Sequence, residues 1–424
     1  MIRNMGKRLR IFHPLRSAPV ALLWGGLSLS ALGDQIYAIA LTWIAVGVFG
    51  SNAGYLSALQ ALVTLIAVLG VGRWTDRWDQ RRGMIGADLA RAAVLIGVVV
   101  AWLVSAGPSA TQLVVAIVVL AAGQAVFRPA LQTVLPSLVT ERDLLPAANG
   151  LLDATDRSAR LLGPGLVALF AGVLPLVHFL TLDALSFLAS AVALGVIGRL
   201  HRPASVAEPP PRGSIWQGIV RGCEALAAHP VLRFILAATG VLNGTWYAVY
   251  FLCVPLMLAH HGVGLSGYGL VISTYGCSNL AATIVFGSRP TLVRPQFQIF
   301  GGNLLGGAAM VLLALGSLLP SNLVLPAFAA AAFLGAIGGP MQDIPVAVLR
   351  QTRLRRSDIA AGMRVHMAAA SGGILVAMLL VPQAITLFGV TPVVVACGAA
   401  YLAIGTGGLV MLAAWVEPER PQVA

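Results

Sequence analysis

The strongest constraint on this chain is a repeat of apolar runs. From Val20 onward, stretches of roughly 20 apolar residues recur with only short polar breaks between them. Hydrocarbon offers no partner to a backbone N–H or C=O, so a chain inserted there must satisfy each one internally. Runs of this length match spanning helices. Composition agrees: 10% of the residues are charged and 58% are hydrophobic, whereas a soluble domain carries about 25% charged residues. The 424 residues would suffice for about three soluble domains, but the runs continue from end to end. The expected class is an all-α integral membrane protein.

Helices are expected at about 20–49, 52–72, 83–105, 111–138, 145–171, 175–199, 231–259, 266–287, 297–317, 323–349, 357–386 and 391–415. The basic start (Arg3, Lys7, Arg8, Arg10, Arg16) precedes an apolar run too long for a signal peptide, so it reads as a retained first span. The connections alternate in charge. Those at 50–52, 106–110, 172–174, 260–265, 318–322 and 387–390 contain no Lys or Arg. The others are basic: the N-terminal arm, 73–82, Arg142, Arg199 to Arg233, Arg289/Arg294 and Arg350 to Arg356. The positive-inside rule puts the basic set, and both termini, in the cytoplasm. Twelve spans satisfy that parity, and a bacterial inner membrane is the expected location. The net charge of +12, in which Lys7 is the only lysine, is thereby a topology signal facing anionic lipid and not a nucleic-acid footprint. Cys223, Cys253, Cys277 and Cys397 are far apart and show no metal-ligand or CxxC spacing. No metal and no cofactor is expected.

The stretch HRPASVAEPPPRG (201–213) is a Pro-rich linker that cannot continue a helix. It divides the chain into an N-terminal six-helix bundle (1–199), a linker with an interfacial helix (200–230) and a C-terminal six-helix bundle (231–424). Ile215, Trp216, Ile219, Val220, Cys223 and Leu226 suggest a short helix on the cytoplasmic interface. The other reading is an early start of span seven, against which Pro230 argues. The halves repeat weakly. At an offset of 215 residues, Gly72 meets Gly287, Asp88 meets Asn303, and Asp143-Leu144 meets Asp358-Ile359. Two related bundles are the arrangement in which carriers bind substrate near the midplane.

Gly72–Arg82 reads GRWTDRWDQRR, a charge cluster between spans two and three. With twelve spans and a central linker it resembles the signature G-x-x-x-D-R-x-G-R-R/K of the major facilitator superfamily. Gly72, Asp76, Arg77 and Arg81 match; Asp79 replaces the second glycine and Gln80 the following basic residue. The resemblance implies the major facilitator fold, two pseudo-symmetric bundles of six helices. It also implies a cytoplasmic latch made by Asp76, Arg77 and Arg81 against the start of span eleven, with Asp88 in support. Gly163-Pro164-Gly165 in RLLGPGLVALF is similar to the G-P-x-x-G motif of that superfamily's drug:proton antiporters, although Ala168 and Leu169 stand where glycines often do. The stretches 28–43, 127–139 and 224–233 resemble the bacterial exporter branch of siderophore (enterobactin-type) and macrolide-efflux proteins.

An ionisable group at membrane depth costs at least ~2.5 kcal/mol, so it faces a cavity or a partner. Asp34 lies about halfway along span one with no basic residue within a turn. It is either a proton-coupling carboxylate or a structural one; Asp343 in span ten is a second proton-coupling candidate. Span five carries Asp153, Asp156, Arg157 and Arg160, forming i,i+4 pairs in the favourable order. These neutralise one another as a structural network, or Arg157 and Arg128 contact an anionic substrate. Gln35, Arg128, Asp153, Asp156 and Arg157 are thus candidate cavity residues. In the second half Asn243, Trp246, Tyr247 and Tyr250 recur every three or four residues. They form either an aromatic site for ring-bearing or cationic molecules or a packing stripe. Tyr275, Asn279 and Gln342 could line the same cavity.

The expected function is proton-coupled export of small amphiphilic molecules such as siderophores or drugs by a monomeric antiporter using alternating access. Its partners would be substrate, protons and lipid, with no nucleic acid. Metabolite import or metal export on the same fold is the alternative. An integral-membrane enzyme would need a catalytic constellation that the polar segments lack. ATP-driven transport would need a G-x-x-x-x-G-K-[ST] loop, which the sequence lacks.

Overall fold

The computed structural model describes residues 9–70, 79–105, 107–139, 144–200, 215–288 and 294–412. Gly72, Asp76, Arg77 and the Pro-rich linker lie outside them. The helices are α1 (Ala18–Phe49), α2 (Ala53–Gly70), α3 (Gln80–Ser105), α4 (Ala110–Leu138), α5 (Leu145–Phe170) and α6 (Val177–Leu200), then the short α7 (Ile215–Ala227). They are followed by α8 (Pro230–His260), α9 (Leu265–Gly287), α10 (Pro295–Gly316), α11 (Ser321–Arg353), α12 (Arg356–Phe388) and α13 (Val390–Leu412). Ten stretches among the described residues are long and apolar enough to cross a membrane. One of them, Ala18–Ala67, runs through the 3-10 turn Gly50–Asn52 and so holds both α1 and most of α2. α5 has spanning length but carries four charges. The protein is an all-helical, multi-pass membrane protein.

Helix ends follow local chemistry. Ser109 caps α4 with a capping box: its Oγ accepts from the Gln112 N–H (3.3 Å), and the Gln112 side chain accepts from the Ser109 N–H (2.9 Å). Pro230 opens α8 where its missing N–H costs nothing, so α7 and α8 are separate helices. Gly389 ends α12 at φ 83°, a backbone angle that side-chain-bearing residues avoid. Within α8, Val249–Cys253 forms a π turn just before Pro255, which cannot donate a backbone hydrogen bond.

Contacts divide the chain into two compact units: Met1–Val48 with Leu62–Arg212, and Phe49–Ala61 with Gly213–Ala424. In the first unit α3 packs against α4 and α6. Leu23, Met84, Phe127, Leu135, Leu194 and Ile197, from α1, α3, α4 and α6, share one apolar core. In the second unit the equivalent helices pair equivalently: α10 packs on α11 and α13. The shared pattern is the structural counterpart of the 215-residue repeat. α7 lies along α12, with Leu226 in the core of the second unit and Arg221 paired to Asp358 at 2.5 Å. Its apolar residues form one arc of which one edge is covered: Ile219, Cys223 and Leu226 pack inward, whereas Trp216 and Val220 remain exposed.

The closest helix approaches use glycine. A Cβ at Gly244 of α8 would sit 2.5 Å from the Gly373 carbonyl of α12, and one at Gly302 of α10 would sit 2.5 Å from the Gly338 carbonyl of α11. Small residues permit this backbone contact, which drives helix association in lipid. Gly373→Leu is therefore expected to separate α8 from α12. Overpacking typically costs about 1–3 kcal/mol. The expected readout is a lower midpoint for survival of the monodisperse peak when detergent-solubilised protein is heated; an unchanged midpoint would contradict this packing.

Candidate functional site

The first unit buries a polar cluster between α1, α3, α4 and α6. Asp88 and Arg91, one turn apart on α3, form an ion pair whose side chains are 0% and 4% exposed. The Arg91 guanidinium lies over the Phe187 ring of α6 at 4.1 Å and faces the Phe127 ring of α4 at 5.0 Å, a cation–π arrangement on both sides. Gly123 makes room for it: a Cβ there would be 2.8 Å from the Arg91 stem. Asp34 of α1 is half-buried and lies within electrostatic reach of Arg91, Arg128, Asp88 and Asp156. Asp183 of α6, which the sequence reading passed over, is 0% exposed and electrostatically linked to Asp34, Asp88 and Arg91. Three carboxylates thus share a buried region with one buried guanidinium.

The charges of α5 pair as their spacing predicts. Arg157 Nε donates to Asp153 Oδ2 (2.9 Å), and Arg160 pairs with Asp156. Arg128 of α4 comes within 3.9 Å of the same Asp156. The arginines are all more than half exposed, so the ladder contributes little to stability and leaves cationic groups accessible. Gly163 packs directly on Gln35, setting α5 against α1 beside Asp34; Trp24 Nε1 donates to Thr155 Oγ1 (2.9 Å) along the same seam. Pro164 and Gly165 lie in the C-terminal third of α5, within an unbroken helix. Arg81 rests against Gly198 of α6, with its Nε and Nη1 buried and without a hydrogen-bond partner. A groove of about 660 Å³ between α3 and α4, near Asp79 and Arg82, is walled by small apolar residues.

The second unit gathers aromatic groups. Trp246 Nε1 donates to Tyr275 Oη (3.0 Å), and the Tyr250 and Tyr275 rings meet edge-on at 4.8 Å. Tyr247 stacks on Phe251 at 4.7 Å and lies within hydrogen-bonding reach of Ser57. Tyr250 is at the π turn, and its carbonyl accepts from the Tyr268 hydroxyl (3.1 Å). Tyr401 of α13, absent from the sequence expectation, is electrostatically linked to Tyr250 and Tyr275, and its hydroxyl donates to the Leu242 carbonyl (2.9 Å). Asn279 and Asn243 donate to the backbone carbonyls of Ala336 and Thr239. Gln342 is half-buried and Asp343 exposed on α11. Among the described residues no group of three His, Cys, Asp or Glu side chains is arranged to hold a metal.

The two units pair their helices alike, with a polar cluster in the first and an aromatic cluster in the second, the arrangement of a multi-pass membrane protein built on a repeat. The Major Facilitator Superfamily profile matches residues 23–325, and the chain belongs to that family of transporters. No curated protein matches the sequence. Among solved structures, it is similar to a mutant of the peptide transporter POT, with TM-score 0.72 and 12% identity over 93% of this chain and 94% of that one. A bacterial homologue of the iron transporter ferroportin, in an inward-facing state, gives TM-score 0.70 and 15% identity over 92% and 98%. A POT family transporter in complex with a thioalcohol conjugated peptide gives 0.63 and 15% over 92% and 95%. At these identities the likeness carries the fold.

Removing Arg91 would leave Asp88 buried without its cation. Arg91→Met is expected to destabilise the protein by about 3–5 kcal/mol, read as a lower thermal midpoint. Adding Asp88→Asn should restore most of the loss, because an amide stands at the repeat-related Asn303. A double variant as unstable as the single one would refute the pairing.

Proposed function

We propose that this transporter is a proton-coupled exporter of small amphiphilic molecules, working by alternating access as a monomer in a bacterial inner membrane with both termini in the cytoplasm. The observation that carries this reading is Asp34. It is a half-buried carboxylate in the middle of α1 whose electrostatic neighbours include Arg91 and Arg128 but whose own helix supplies no cation. Such a group can alternate between a proton and a cationic partner, which is the exchange an antiporter needs. Asp343 is the second candidate proton carrier.

Substrate would meet two kinds of surface. Trp246, Tyr247, Tyr250 and Tyr275 offer ring faces with polar edges, suited to ring-bearing or cationic groups. Asn279 and Gln342 would add amide contacts. Arg128 and Arg157 offer accessible guanidinium groups for an anionic end, with Gln35, Asp153 and Asp156 beside them. Siderophores and drug-like molecules combine these features, in keeping with the exporter branch the sequence resembles. The bundles 1–199 and 231–424 joined through 200–230 would be the moving bodies. Gly72, Asp76, Arg77 and Arg81 would latch their cytoplasmic ends, and Gly163-Pro164-Gly165 would shape the α5 seam.

In proteoliposomes, efflux of a toxic compound found by growth screening should saturate and follow an imposed pH gradient. Asp34→Asn should fold normally and reduce gradient-driven flux at least tenfold; unimpaired flux with the parent's pH dependence would sink the reading. Asp76→Ala should slow cycling several-fold while leaving equilibrium binding of the same compound within about twofold, a split measurable by comparing flux with binding.

A further inference from the structure

Asp183 has a setting that packing alone does not require. Its carboxylate is fully buried in α6 and lies against the backbone of α1: a Cβ at Gly33 would be 2.6 Å from Oδ1. Ser186 Oγ donates to Oδ1 at 3.2 Å, and Oδ2 has no hydrogen-bond partner. The charged groups facing this region are Asp34 from α1 and Asp88 and Arg91 from α3. Arg128 of α4 and Asp156 of α5 act on Asp34. Tyr37 is buried one turn beyond Gly33 on the same face of α1. Arg91 is already paired with Asp88, so Asp34 and Asp183 have no buried cation to themselves. Two like charges this deep are costly, and carboxylates sharing a site accommodate one another by keeping a proton.

The repeat gives an internal control. At the same offset of 215 residues, Asp34, Asp88, Arg91 and Asp183 correspond to Val249, Asn303, Gly306 and Gly398. There the third and sixth helices of the bundle pack through glycines and apolar side chains, a Cβ at Gly398 falling 2.9 Å from both the Gly307 carbonyl and the Val311 side chain. The helix pairing thus forms without any carboxylate, and the charged version belongs to the first unit only.

We infer that Asp183 and Asp34 form a carboxyl pair sharing one exchangeable proton, with Asp183 as its buried store and Asp34, half-buried, as its port. The inference rests on the proton-coupled reading above. The proton passes from the Asp183 carboxyl to the Asp34 carboxylate and from there to water; no other bond changes. α6 as well as α1 then takes part in coupling, because separating Gly33 from Asp183 would break the pair.

The test is infrared difference spectroscopy of the full chain in lipid vesicles, following the carboxyl C=O band from acid to alkaline pH. Interacting sites titrate as a pair. Asp183→Asn should remove one component and move the remaining midpoint by about one pH unit or more. Asp34→Asn should do the same to the Asp183 component, and the double variant should lose both. Folding is checked by size exclusion; if Asp183→Asn fails to fold, the Asp34→Asn arm still reads the coupling. Should either variant leave the other component's midpoint in place, the pair is refuted while Asp34 stands as a lone proton carrier. If Asp34→Asn removes no component, the proton-coupled reading falls as well. A band that answers to sodium but not to pH would also overturn the inference, in favour of a cation site.

Discussion

In hydrocarbon, one apolar side chain gains little by exchanging a lipid tail for another side chain, so helices associate through close backbone contact and polar pairing. This protein uses both, and in different places. The second unit brings α8 to α12, α10 to α11 and α10 to α13 through facing glycines. The first unit makes the matching α3–α6 contact around a buried ion pair and two phenylalanine rings. The same fold is therefore closed once by small residues and once by charge.

That asymmetry divides the labour. A helix contact made by glycine backbones carries no group that titrates. A bundle joined around three carboxylates and an arginine does, and its internal electrostatics change with each proton gained or lost. The aromatic cluster sits in the second unit, where an indole-to-hydroxyl bond joins Trp246 to Tyr275, the Tyr250 and Tyr275 rings meet edge-on, and the Tyr401 hydroxyl donates to the Leu242 carbonyl. Under the proposed function, the aromatic cluster would serve recognition and the charged cluster would serve energy coupling, in different copies of one repeat.

Much of this was legible before any coordinates. Apolar run length placed the helices, Pro230 separated α7 from α8, and i,i+4 spacing anticipated the α5 pairs, all because these effects are local. Asp34 stood out as an acid without a nearby base. Asp183 satisfies the same criterion, within TLDALSF, yet was overlooked, although the signal was available. What no local pattern could supply is partnership across roughly 100 to 150 residues: Gly33 beside Asp183, Phe187 under Arg91, or Tyr401 joining the aromatics of α8 and α9. The covered part of the α7 surface was not legible for a related reason. Its apolar residues look continuous on a helical projection, but only the arc facing α12 is covered, and Trp216 is left out.

The π turn in α8 carries a consequence for how this helix can vary. A π turn holds one residue more than the α-helical turn it replaces. Here it spans Val249–Cys253 and leaves the Tyr250 carbonyl to a hydroxyl from α9. Deleting a single residue from it would regularise the helix and leave the later side chains near their present directions, because a five-residue π turn and a four-residue α turn cover about the same rotation. Met257 and Leu258, both buried, would stay on the same face. The π turn is therefore the place in α8 where the chain can lose one residue without turning the rest of the helix; what such a deletion would remove is the bond between the Tyr250 carbonyl and the Tyr268 hydroxyl.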